Sequence, residues 1–253
     1  MTVEFITSPY FIALLFFLIA FVYSSVGLGG GSSYTALMTI LGFSTLVIPM
    51  VSLTLNLMVT AIGSINYIRH KHARWNLILP FLITSIPMAY LGGSLQLDKQ
   101  TFYWVLLISL CFVAARIYLW SSTSLQLNLS ARSKLVLALF TGSILGLVAG
   151  VAGIGGGIYL VPLIIILGLG TQKEAAAAGV IFIFINSLAG LIARLQYNMI
   201  DFGEYVPMII AVALGGILGS HLGAVRYSPK TMERLLGGLV ILAIILIGRK
   251  LIL

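Results

Sequence analysis

The chain has 253 residues, 60% of them hydrophobic and only 8% charged, where a soluble domain carries about 25% charge. Its mean hydropathy is +1.14, so it lacks the polar groups that cover a surface in water and reads as a polytopic membrane protein. The formal net charge of +8 comes from basic residues set singly or in short groups between apolar runs, a distribution that orients a chain in a membrane and argues against a nucleic-acid partner.

In chain order, the first apolar run covers 10–26 and breaks at Gly27-Leu28-Gly29-Gly30-Gly31, before a short run at 34–41. Helices are expected at 47–68, 77–95 and 102–120. A polar linker follows, ending at 126–134, and the run 135–152 then breaks at Gly153-Ile154-Gly155-Gly156-Gly157. A short run at 159–169 precedes helices at 175–197, 205–225 and 235–247. No charge lies between Glu4 and Arg69, nor between Lys134 and Lys173. With no basic region in the first 30 residues, a cleaved signal peptide is not expected. Cys111 is the single cysteine, so no disulfide framework or Cys-based metal site can form.

This order contains a repeat. The glycine motif at 27–31 returns at 153–157, an offset of 126, and further on an offset of 130 aligns Asn56 with Asn186 and Tyr67 with Tyr197. The expected halves are 1–125 and 135–253, each a broken helical segment (10–41 and 135–169) followed by three transmembrane helices. Internal repeats of this kind are common in secondary transporters. Arg69, Lys71 and Arg74 place the 69–75 loop inside the cell, whereas the matching 200–204 loop carries Asp201 and Glu204 and no basic residue. The 226–234 loop has Arg226, Lys230 and Arg234, against one Lys and one Asp at 97–101. Opposite bias in matching loops predicts inverted repeats, with each glycine motif at the tip of a re-entrant hairpin.

Four glycines in five residues do not sustain a helix, each costing about 1 kcal/mol in a helix interior. A broken backbone at membrane depth must be buried in protein or line a wet cavity. The returning helix starts there with free N–H groups and the positive end of its dipole, which suits an anion. Gly29, Gly30, Gly31, Gly155, Gly156 and Gly157 are therefore candidate substrate-binding positions at the bilayer midplane. Close helix packing through small residues is the competing explanation, and repetition in equal context weighs against it.

The two motifs, with Pro162 after the second, resemble the sulfite exporter TauE/SafE family over nearly the whole chain; Asp201 after Asn198 and Ile200 resembles its pattern too. Ala36 stands in the first half where the second has Pro162, a departure from the symmetric pattern. The resemblance implies export of small sulfur oxyanions such as sulfite, or of organosulfonates, across the cell inner membrane.

Asn56 and Asn186 lie at the centres of matching helices and can donate amide N–H to an oxyanion. Ser32 and Ser33 flank the first turn, to cap the return helix or to donate to the ligand. Arg194 and Arg116 lie near helix ends, where snorkelling is the ordinary role; Arg194 is the better candidate for an anion at the outer mouth. His221 could titrate near neutral pH, but packing fits it better. All six acidic residues fall in loops or at segment ends, so no carboxylate relay is expected in mid-membrane. No catalytic motif, metal set, Walker sequence or cofactor motif is present, so an enzyme is not expected. The partners expected are a small anionic substrate and membrane lipid, with homo-oligomer formation left open. The rival function is a membrane assembly or scaffold protein whose glycine turns only pack helices.

Overall fold

A computed structural model describes residues 9–25, 28–119, 130–197 and 199–223, together with single positions between 238 and 251. Gly27, Trp120, residues 121–129 of the polar linker, the 226–234 loop and most of 235–247 lie outside the described residues, as do the side chains of Arg116 and His221. The described residues form helices and no strand. These are α1 (Pro9–Ser25), α2 (Gly31–Ile40), α3 (Val47–Arg69), α4 (Trp75–Ser94) and α5 (Lys99–Leu119). After the linker come α6 (Ala131–Ala152), α7 (Gly157–Ile166) and α8 (Gln172–Leu195), then a 3-10 turn (Phe202–Tyr205) and α9 (Val206–Gly223). The positions described between 238 and 251 are helical.

Five of these stretches, α3, α4, α6, α8 and Phe202–Gly219, are long and apolar enough to cross a bilayer. Their outward faces carry large apolar side chains such as Ile83 and Phe140, each more than 60% exposed. In water that exposure would be costly; in hydrocarbon it is free of penalty.

Local chemistry sets the helix ends. Ser130 accepts a hydrogen bond from the Ser133 N–H, so α6 starts at Ala131, inside the stretch read from sequence as linker. Its first turn tolerates polar residues because the cap satisfies an orphan N–H. Thr171 and Glu174 form a reciprocal capping box that starts α8. Asp98 caps α5, accepting from the N–H groups of Gln100 and Thr101. The Thr101 hydroxyl, which also donates to it, and these N–H groups hold the Asp98 carboxyl below its ordinary value.

Helix directions follow from which residues meet. Gly142, Gly146 and Gly150 of α6 lie against Phe81, Ser85 and Ala89 of α4, so these helices run parallel. Gly215 and Gly219 of α9 lie against Phe17 and Phe21 of α1, also parallel. By contrast, Gly63 of α3 meets Val180 of α8 and Gly190 of α8 meets Leu53 of α3, so α3 and α8 run antiparallel. When elements are matched through the glycine motif (α1 with α6, α2 with α7, α3 with α8, α4 with α9), contacts match as well. α4 packs on α6 as α9 packs on α1, α4 on α8 as α9 on α3, and α7 on α8 as α2 on α3.

Candidate functional site: two glycine turns around Asn56

Both glycine motifs are chain reversals. α2 folds back on α1, with the Phe16 and Tyr34 rings stacked at 5.5 Å. α7 folds back towards the start of α8, where Val161 abuts Gly179. Gly30 has φ +89° and starts α2; Gly153, Gly155 and Gly156 have φ +72°, +81° and +75°. L side chains rarely adopt that left-handed region, which is why the reversals are written in glycine.

The two turns meet. A Cβ added to Gly31 would sit 2.6 Å from the Ile154 carbonyl oxygen of the other turn and overlap the Asn56 amide. Asn56 also flanks Gly29, at 2.9 Å from its would-be Cβ, and Gly155, at 3.0 Å. From α3, Ser52 Oγ donates to the Gly153 carbonyl at 2.7 Å and lies 3.3 Å from that of Gly31. From α8, Ile183 and Ser187 close the other side of Gly155. Asn56, Ser52 and Ser187 are fully buried.

The polar groups here are only partly satisfied. Asn56 Nδ2 has one long contact, 3.5 Å to the Gly153 carbonyl, and Asn56 Oδ1 and Ser187 Oγ have no partner. The buried N–H groups of Gly31 and Ser32 at the start of α2, and of Gly157 and Ile158 at the start of α7, donate to no acceptor among the described residues. Helix first turns always leave such donors; leaving them buried as well costs free energy unless something accepts from them.

Other candidates are placed differently. Gly30 and Gly156 face aromatic rings, of Tyr34 and Phe182, and Gly157 faces Ile183. Ser32 and Ser33 do not cap α2; their hydroxyls bond the Tyr23 hydroxyl at 2.9 and 2.8 Å. Asn186 donates to the Phe182 carbonyl of its own helix at 2.8 Å, and is not among the nearest side chains to either turn. Arg194 does not snorkel. It is 5% exposed, and its Nη2 donates to the carbonyls of Gly150 and Val151 at the end of α6. Sequence reasoning missed Ser52, Thr60 and Ser187. A signal existed: Ser52, Asn56, Thr60 and Ser64 recur every four residues in an apolar run, and all four are buried.

A family model described as "Sulfite exporter TauE/SafE" matches residues 12–247. The chain belongs to the TauE/SafE family. It is 36% identical over 249 residues to "Probable membrane transporter protein y4hK" of Sinorhizobium fredii, covering 95% of this chain and 97% of that one. It is 27% identical over 240 residues to "Probable membrane transporter protein MJ0441" of Methanocaldococcus jannaschii, covering 88% and 89%. No solved structure matches. The chain is thus a membrane transporter of the TauE/SafE family, and the geometry around Asn56 is that of a TauE/SafE member. Among its described residues no cluster of three or more His, Cys, Asp or Glu could hold a metal ion.

Proposed function

We propose that this TauE/SafE member is a secondary transporter that exports small sulfur oxyanions, sulfite foremost, or organosulfonates, across the cell inner membrane. The substrate sits at the midplane between the two glycine turns. Gly29–Gly31 and Gly155–Gly157 carry no Cβ to stand between it and the first turns of α2 and α7, with the rings of Tyr34 and Phe182 beside Gly30 and Gly156. The unaccepted N–H groups of Gly31, Ser32, Gly157 and Ile158 face the negative oxygens with two positive helix ends behind them. Asn56 and Ser187 add side-chain donors, with Asn186 one turn away from Ile183 on α8. Ser32 contributes through its backbone N–H, because its hydroxyl is engaged with Tyr23; Ser33, whose N–H bonds the Gly30 carbonyl and whose hydroxyl bonds Tyr23, lines the turn. Arg194 supplies a cation towards one mouth.

The observation that carries this reading is the pair of buried, unaccepted helix starts meeting at an under-satisfied amide. Close packing alone explains the glycines but not the unused donors. We read the two halves as inverted repeats with re-entrant hairpins; the antiparallel α3 and α8, and the folding back of α2 on α1, support that. Inversion is what lets one site open alternately to either side.

The test is anion-dependent stabilisation of the full chain in detergent, with sulfite, sulfate, thiosulfate and a short sulfonate as probes, followed by flux from proteoliposomes. Stabilisation by sulfite or sulfonate, with matching flux, is expected. No stabilisation and no flux with any probe would leave the scaffold function in its place.

A further inference from the structure

Arg194 is the one Lys or Arg with a buried side chain among the described residues. It has no carboxylate partner: the ion pair found there joins Arg74 to Glu174, at the opposite end of α8. Its Nη2 bonds the carbonyls of Gly150 and Val151 at 2.9 and 2.8 Å, and its Nε has no partner. The negative end of the α6 dipole offsets part of the charge. A whole guanidinium is not neutralised by two carbonyls, and a buried cation without a counter-ion is costly. A narrow crevice from the end of the bundle reaches this group, lined by Ser94, Gln96, Leu97 and Tyr197. Asp98 follows on the same loop, but its carboxylate is engaged with the first turn of α5.

The repeat sharpens the point. The offset of 130 that aligns Asn56 with Asn186 also aligns Ser64 with Arg194. Ser64 is buried and its Oγ has no partner. One end of the pathway therefore carries a buried fork of donors and a full charge, and the matching place on α3 carries a lone hydroxyl.

We propose that Arg194 forms a second anion subsite, at the mouth shared by the α4–α5 loop and the end of α8, and that the two faces of the transporter differ in anion affinity because Ser64 stands at the matching place. A small oxyanion accepts from the unpartnered Nε–H while Nη2 keeps the α6 carbonyls. This inference rests on the anion-transport reading above.

The experiment uses the full chain in sealed proteoliposomes of known orientation, with sulfite and sulfate as probes. Half-saturating concentrations for flux are measured with the anion presented at each face, for wild type, Arg194→Gln and Arg194→Lys. In wild type, affinity is expected to be higher at the face bearing residues 96 and 197. Arg194→Gln raises the half-saturating concentration there about tenfold and leaves the other face within twofold. Arg194→Lys keeps the charge, loses the planar fork and falls between. If the glutamine variant does not fold, the lysine variant and the two-sided comparison in wild type still decide. Equal affinity at both faces of wild type, or variants unchanged at the Arg194 face, would overturn the subsite while leaving the central site intact. Absence of anion flux in wild type would instead overturn the transport reading itself.

Discussion

Asn56 and Asn186 are equivalent by repeat, yet their amides meet different surroundings. Asn56 touches both glycine turns, whereas Asn186 is turned onto the backbone of its own helix. A ligand at the turns therefore depends on the two unequally. Asn56→Ala is expected to weaken sulfite binding at least tenfold and Asn186→Ala less than threefold, read by thermal shift titration; equal losses would contradict the asymmetry. The hydroxyls at the first turn make the opposite case. Tyr23→Phe leaves Ser32 and Ser33 without their common partner and should cost about 1–3 kcal/mol of stability. Anion affinity should stay within twofold, because those hydroxyls are committed to Tyr23. A fall in affinity at unchanged stability would show instead that the hydroxyls serve the ligand. Valine at Gly30 tests the turn poorly, since the backbone is left-handed there as it is at Gly42 and Gly168, and all three would be strained. Gly31 has no such constraint, so its substitution reports the space beside Asn56.

At the scale of elements, α4–α6 and α1–α9 make the most extensive contacts, and both are backbone-to-backbone. The glycines that permit this are on α6 in the first pair and on α9 in the second, so corresponding interfaces place their small residues on opposite partners. Without a hydrophobic drive between helices in lipid, close van der Waals approach supplies the association. Thr84 adds a bond across the first interface, Oγ1 to the Leu139 carbonyl at 2.7 Å. A methyl at Gly146 would lie 2.6 Å from Ser85 Cα, against 3.3 Å for the closest contact of one at Gly190. Gly146→Ala should thus cost about 1–3 kcal/mol by overpacking, and Gly190→Ala clearly less. Thermal unfolding of the two variants in the same detergent gives the comparison, and a reversed order would refute this account of the interface.

For the whole molecule, antiparallel α3 and α8 put the 70–74 loop at one end and the 95–98 loop, Thr45 and Tyr197 at the other. In a background with the exposed Cys111 replaced by Ser, cysteine at position 72 should label from the cytoplasmic side. Cysteines at 96 and 202 should label from the opposite side. Labelling of 72 and 202 from one side would rule out the inverted arrangement. Since Arg194 lies at the 96 and 197 end, the same experiment states which face of the membrane the buried cation serves.

Membrane class, the order of the described helices and the breaks between them were legible in the sequence, because hydropathy and glycine runs act locally and the bilayer allows few alternatives. The family was legible for the same reason: the repeated glycine motif is a contiguous signal. Helix ends were less so, since α6 starts within a polar stretch that a single serine cap makes helical. What only the tertiary structure decided is who meets whom at the centre. Asn56 and Asn186 look alike on one chain, and the packing of α3 across both turns separates them. Likewise Arg194 near a helix end reads as a snorkelling residue until α6 is seen to end beside it, with free carbonyls aimed at its guanidinium. Contacts between residues more than forty positions apart depend on how helices tilt and pack, and nothing in the local pattern of a single sequence encodes that.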